Sequence, residues 1–303
     1  MRFAVIGAGA VGCYFGARLV QAGANVTFLA RSAQADLLQR HGLTMESGDK
    51  RETVRLLVTA ELSGIESADV VLLCVKSYHT ADAAKQVAPH LPPETVVLSM
   101  QNGVNNADVF RDSSEHPALP AVVYVGAQMD SPTHLNHKGG GHIILGTPRG
   151  YEQAGAPSVA EIAGELGRGF PCKLSEFIER DLWQKLIINC AYNAVSAMTQ
   201  QQYGVMIQDA ETMVLMEQIV RECIEVARAL GIEFELEKLK ASAMDVGRLM
   251  GGQRSSTAQD LQRGKRTEID ALNGYITRLA REKGVSAIAN QAVYALVKLM
   301  EAR

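Results

Sequence analysis

The chain opens on an apolar run, Phe3-Ala4-Val5-Ile6, followed by the glycine-rich stretch Gly7-Ala8-Gly9-Ala10-Val11-Gly12. A run that is apolar on both faces predicts a parallel strand buried between helices. Cys13 to Val20 has helical spacing and stops at Ala22-Gly23, and Asn25 to Ala30 reads as a second strand. Two more buried strands are predicted at Val70–Val75 and Thr95–Ser99, with a helix from about Thr80 to Val87 between them, and another strand at Ala121–Gly126. Leu43–Met45 and Val54–Val58 predict short strands around a turn at Gly48-Asp49. His134 to Leu145, with Gly139-Gly140-Gly141 in its middle, predicts a hairpin or an edge-strand pair. A helix from about Ser158 to Leu166 and the strand-like Cys172-Lys173-Leu174 finish this region.

From Ile178 onward the pattern is helical, with few glycines and hardly any strand signal. The expected division is an α/β domain over residues 1–175 and an all-α domain over residues 176–303. Helices are predicted at about Glu179–Met198, Glu211–Leu230 and Glu235–Met250, then one ending near Lys283 and one from Ala287 to Met300. The first of these is apolar around most of its circumference, which predicts burial. Yet Lys185, Asn189 and Asn193 fall at i, i+4 and i+8 and so stack on one row. A buried lysine needs partners and asparagine is a poor helix former, so the row predicts a polar cleft. A structural hydrogen-bonded network between helices is the other reading. Ser256 with Gln259 has the form of a capping box, and a dense polar cluster, Arg263 to Asp270, precedes Ala271-Leu272-Asn273-Gly274.

The glycine pattern G-x-G-x-x-G acquires meaning from its place between a strand and a helix. Gly7 is expected to make the tight turn, Gly9 to let a pyrophosphate approach the backbone, and Gly12 to allow close helix–strand packing. The acid that usually binds a ribose 2′-OH about 20 residues further on is missing. Arg31 stands there, followed by Ser32, and the next acid is Asp36. A guanidinium in that position pairs with a 2′-phosphate, which favours NADP(H) over NAD(H). Lys76 and Asn102 end two strands on the side where doubly wound sheets bind ligands. A solvated loop lysine and an ordinary Asn-Gly turn are equally open readings of these two residues.

Length and composition narrow the class. The 303 residues suffice for two cores, and a net charge of −3 gives no reason to expect nucleic acid or an anionic membrane surface as partner. No apolar run approaches the ~18 residues of a membrane span, and the N-terminus lacks the form of a signal peptide. Cys13, Cys74, Cys172, Cys190 and Cys223 are scattered and odd in number, which fits reduced thiols in a cytoplasm. His134, His137 and His142 crowd together, but their spacing fits no helical ligand pair and no acid joins them in sequence, so no metal site is expected.

Over nearly its whole length the chain resembles the 2-dehydropantoate 2-reductases, or ketopantoate reductases. The resemblance is carried by Gly7 to Gly12, Val75-Lys76 and Gln101-Asn102-Gly103. Further on it rests on Trp183-Gln184-Lys185 with Asn189 and Asn193, Ser255-Ser256 through Gln259-Asp260, and Thr267-Glu268-Ile269-Asp270 with Asn273-Gly274. It implies a Rossmann-type parallel-sheet domain followed by an all-α domain like the C-terminal part of 6-phosphogluconate dehydrogenase. It further implies NADPH-dependent reduction of ketopantoate to pantoate, on the way to pantothenate and coenzyme A. On this resemblance Lys185 is the general acid, and Glu268 orients Lys185 and the substrate. Asn189, Asn193 and Ser256 bind the keto acid, Lys76 and Asn102 lie between nicotinamide and substrate, and Arg31 holds the 2′-phosphate. Gly7, Ala8, Gly9, Ala10, Val11 and Gly12 form the cofactor loop.

Ala194 stands where better-studied members of the family have a proline, and the glutamine run Gln200-Gln201-Gln202 is unfamiliar. Two rivals therefore remain: a reductase of another 2-oxo acid or a β-hydroxy acid enzyme, and a protein that senses the dinucleotide without turnover. A sensor has no use for Lys185 and Glu268 in a shared cleft. The helical half has enough apolar surface for a homodimer, although periodicity does not separate an interface from a core.

Overall fold

The computed structural model describes residues 1–114, 116–151 and 157–302. By its internal contacts the chain forms two compact units, Met1–Gln101 with Asn105–Asp181, and Leu182–Arg303 with Asn102–Val104. Among the described residues no helix is long and apolar enough to cross a membrane.

The first unit alternates strands and helices. In order these are β1 (Arg2–Ile6), α1 (Ala10–Gln21), β2 (Asn25–Leu29), α2 (Ser32–His41), β3 (Leu43–Ser47), β4 (Lys50–Val54), β5 (Leu57–Thr59) and β6 (Val70–Leu73). Then follow α3 (Thr80–Val87), β7 (Val96–Ser99), α4 (Asn106–Ser114), β8 (Ala118–Ser131), β9 (His134–Leu145), α5 (Val159–Leu166) and β10 (Cys172–Leu174). Among the described residues the strands join in the order β4-β3-β9-β8-β7-β6-β1-β2-β5, with β10 also paired to β9. The part from β7 to β5 is parallel, as expected when helices make the crossovers. Alternate residues face opposite layers. Phe3 and Val5 pack in the same core as residues of α1, α2 and α5, whereas Ala4 and Ile6 pack with those of α3 and α4. This two-sided burial explains why the central strands have no polar alternation.

Two local expectations need correction. The strand expected at Val54–Val58 is split: β4 ends at Val54 and pairs antiparallel with β3 across the Gly48-Asp49 turn, while β5 pairs with β2. The segment His134–Leu145 is neither a hairpin by itself nor an edge. It is the single strand β9, which lies between β8 and β3. Gly139-Gly140-Gly141 is a bulged stretch rather than a turn, with register shifts on either side of Val125-Gly126 on β8. All three glycines have positive φ, and a Cβ on Gly141 would meet the Tyr14 hydroxyl at 2.1 Å. Glycine is needed there because α1 presses its tyrosine onto the strand.

The second unit is helical. It begins within α6 (Ile178–Thr199) and continues through α7 (Tyr203–Met206), α8 (Ala210–Arg228), α9 (Leu236–Leu249), α10 (Ser256–Gln262), α11 (Asn273–Lys283) and α12 (Ile288–Glu301). Leu186, Ile187, Cys190, Ala191 and Ala194 of α6 are buried in a core shared with Ile219, Cys223, Ile276 and Val297. Polar links cross this core as well. The buried Glu222 carboxylate accepts from the backbone N–H groups of Ala289 and Asn290 at 2.9 Å and so caps the start of α12.

Candidate active site

In the first unit the predicted dinucleotide loop lies between β1 and α1. Gly7 has φ +101°, and a Cβ there would stand 2.9 Å from the Cys74 and Val75 backbone. A Cβ on Gly12 would meet the Gly7 carbonyl at 2.2 Å, so the start of α1 packs directly on the loop. Gly9 has nothing within 4 Å of a Cβ position and is the N-cap of α1, where it offers no side chain of its own to cap the helix. Two of the glycines thus serve the fold, while the third leaves room above a helix N-terminus whose N–H groups favour an anion. Gln34 fastens the loop by donating to the Ala8 carbonyl at 2.7 Å.

β2, β1 and β6 are adjacent and parallel, so their C-terminal ends share one edge. That edge carries Arg31, the loop Gly7 to Gly12, and Lys76. Arg31 is the N-cap residue of α2, is exposed, and has no acid in the first turn beside it. A cation at a helix N-terminus is unfavourable by itself and becomes favourable when an anion joins it. Lys76 is half-buried, and its carbonyl accepts from the His79 N–H at 2.8 Å. The residues present therefore fit a dinucleotide, and Arg31 fits a phosphate at its end.

Gln101 has a role in this unit that its motif did not reveal. Its buried side chain donates to the Val75 carbonyl at 2.9 Å and to the Thr80 hydroxyl at 2.7 Å, and accepts from Ser99 at 3.0 Å. This network ties the loop after β7 to the loop after β6, a relation that sequence spacing does not encode.

In the second unit Lys185 donates to the Asn102 side-chain oxygen at 3.0 Å. Part of the lysine surface meets solvent, but its ammonium is packed about by protein. Desolvation lowers its pKa to about 8, and the nearby Glu268 charge opposes that shift. Glu268 is buried on the segment before α11. Asn189 is half-buried and Asn193 is buried one turn further along α6. Thus Lys185, Asn102 and Glu268 come together, and the two asparagines continue along the lysine's helix.

Ser256 requires a correction. The cap of α10 is Ser255, whose hydroxyl accepts from the Ala258 N–H at 3.0 Å and donates to the Asn193 carbonyl at 3.2 Å. Ser255 N–H also donates to the Ser196 hydroxyl at 3.1 Å, and Gln259 reaches the Arg254 carbonyl instead of closing a capping box. Ser256 is left exposed, on the first turn of a helix pinned beside Asn193. Adjacent serines made the cap register ambiguous in the sequence.

The histidines of β9 have separate partners. His134 lies 3.1 Å from Glu46 of β3, an acid that sequence order did not bring near it, His137 stacks on Tyr14, and His142 stacks on Tyr124. Among the described residues no group of three or more His, Cys, Asp or Glu is arranged to hold a metal ion.

The family described as ketopantoate reductase PanE/ApbA matches residues 3–150, and its C-terminal part matches residues 177–301. A 2-dehydropantoate 2-reductase of Archaeoglobus fulgidus is 30% identical over 300 residues, covering 99% of this chain and 98% of that protein. A PanE/ApbA family ketopantoate reductase from Ralstonia eutropha JMP134 is 39% identical with a TM-score of 0.91, covering 100% of this chain and 99% of that one. A D-mandelate dehydrogenase solved with NADH and anilino(oxo)acetate has the same TM-score, 0.91, at 22% identity, covering 100% and 99% of the two chains, which shows a shared fold. Matched in both its sheet and its helical parts, the chain belongs to the ketopantoate reductase family and is an oxidoreductase of Rossmann-type fold that uses a nicotinamide dinucleotide.

Proposed function

We propose that the chain reduces 2-dehydropantoate to pantoate with NADPH, residues 1–175 binding the cofactor and residues 176–303 supplying the catalytic groups. The observation that carries this reading is Lys185, an ammonium with a pKa of about 8 that donates to Asn102 and feels the charge of Glu268. A reduced nicotinamide, when bound, supplies the hydride that adds to the keto carbon. As the carbonyl bond opens, Lys185 Nζ gives a proton to the oxygen, which leaves a hydroxyl and a neutral amine that solvent reprotonates. A cationic donor at a developing alkoxide is what this step needs. Glu268 keeps the lysine charged against desolvation, and Asn102 fixes the direction of one N–H. Asn189, Asn193 and Ser256 are assigned to the keto acid, Lys76 to the nicotinamide side, and Arg31 with Gly7 to Gly12 to the phosphates.

A second reading keeps the mechanism and changes the acid. The D-mandelate dehydrogenase neighbour has the same backbone with another substrate class in its name, and Ala194 departs from the proline expected of the family. The test is NADPH oxidation followed by absorbance, with ketopantoate beside a panel of other 2-oxo acids. A kcat/KM of ~10⁴ M⁻¹s⁻¹ or more for ketopantoate, well above the panel, supports the first reading. Turnover of another acid alone replaces the substrate.

A further inference from the structure

We propose that α12 positions the catalytic carboxylate: its residues grip the peptide on both sides of Glu268 and hold that residue beside Lys185, with Glu301, bound to Thr267, as the principal positioning residue. The inference rests on the reading of Lys185 and Glu268 as the acid pair.

On one side of Glu268 the fully buried Thr267 donates its backbone N–H to Glu301 Oε1 at 2.8 Å, and its hydroxyl donates to the same oxygen. The Ile269 N–H then donates to the Thr267 hydroxyl at 3.2 Å, which closes a tight loop around Glu268. On the other side Asp270 accepts from the Tyr294 hydroxyl at 2.8 Å and from Lys298 Nζ at 3.2 Å, both on α12. Arg266 also donates to the Asp270 carboxylate at 3.2 Å, and Arg278 donates to the Asp270 carbonyl at 3.2 Å. Lys298 binds Glu301 as well, so one ammonium joins the two carboxylates that bracket Glu268. The charged and titratable groups bonded to the segment thus include Arg266, Arg278, Tyr294, Lys298 and Glu301, and Lys185 of α6 faces the Glu268 carboxylate.

Two physical points favour a role beyond stabilising α12. Glu301 is the last residue of that helix, where the helix dipole disfavours an acid. Its side chain is 9% exposed, which is costly for a carboxylate unless its partners need it. The far end of the segment is tied down too. Asn273 Nδ2 donates to the Cys190 carbonyl of α6 at 3.1 Å, so the carboxylate's chain is bonded to the lysine's helix. Asn273 is held in turn by Asn290 at 3.0 Å.

The test is the pH dependence of acylation of Lys185 in the full chain, followed by mass spectrometry of its peptide, which needs no substrate. The wild-type midpoint is expected at about 8. In Glu301→Ala it should fall by about one pH unit, because a carboxylate no longer held beside the ammonium stops opposing desolvation. kcat should drop about tenfold with unchanged NADPH affinity. Glu301→Gln keeps an oxygen for Thr267 and should lie between. Lys298→Met, which removes only the cross-link, should move the midpoint the same way and serves if Glu301→Ala does not fold. Midpoints unmoved in both folded variants, with a lowered one in Glu268→Gln, would overturn the positioning role. An unmoved midpoint in Glu268→Gln would overturn the acid-pair reading and this inference with it.

Discussion

Lys185 and Asn102 are joined by a 3.0 Å hydrogen bond although 83 residues separate them in the chain. The asparagine oxygen takes one of three ammonium protons, which leaves the others directed elsewhere and limits rotation of the group. On the proposed mechanism a proton donor held in this way acts at one place. Replacing Lys185 with Ala should lower kcat by about 10²–10⁴-fold, the usual worth of a positioned acid. NADPH affinity, read by fluorescence titration, should stay close to wild type. Full turnover in that variant would remove the assignment.

The pH dependence of reduction follows from the lowered lysine pKa. Proton donation requires the ammonium, so kcat for reduction should be level below about 8 and fall tenfold per pH unit above it. Oxidation of the hydroxy acid requires the neutral amine and should rise through the same range. Glu268→Gln removes the charge that opposes desolvation, and the limb for reduction should move to lower pH. Steady-state rates from pH 6 to 10 decide it, and a limb that stays in place would show that Glu268 does not act on the lysine.

Arg31→Ala separates the two dinucleotides. The guanidinium ends β2 at an exposed helix N-terminus without an acid in that first turn, so its loss should weaken NADPH by on the order of tenfold or more and leave NADH little changed. Dissociation constants for both, measured on one protein preparation, give the comparison. An unaltered ratio would mean that another residue reads the 2′-phosphate.

The loop glycines should respond differently to the same methyl group. Gly12→Ala forces a carbon to 2.2 Å from the Gly7 carbonyl and should lower Tm or prevent folding. Gly9→Ala has open space around its Cβ position and should leave Tm nearly unchanged while raising the Kd for NADPH. Thermal melts with and without cofactor distinguish the two effects. Equal Tm losses would place Gly9 among the structural glycines.

The two serines at α10 offer a further contrast. Ser255→Ala removes the cap and the bond to Asn193 and should destabilise the protein by about 1–2 kcal/mol. Ser256→Ala removes neither and should leave Tm unchanged while raising KM for the keto acid. Denaturant unfolding together with substrate saturation curves checks both halves.

The sequence by itself determined whatever depends on neighbours along the chain. Two-sided apolar runs set the buried strands, and small residues at fixed spacing set the dinucleotide loop. A 3.6-residue period stacked Lys185, Asn189 and Asn193 on one row of α6. The proposal for Arg31 rests on the same kind of local information, a missing acid at a defined distance along the chain. Tertiary structure decided the rest. β9 became an inner strand because β3 pairs with it, and a bulge accommodates Tyr14 from α1. Ser255 rather than Ser256 became the cap because its hydroxyl also reaches Asn193 on another helix. The lysine pKa and the grip of Glu301 on Thr267 depend on burial and on charges brought close from distant parts of the chain. Desolvation and Coulomb forces act through space, and residue spacing gives no measure of either.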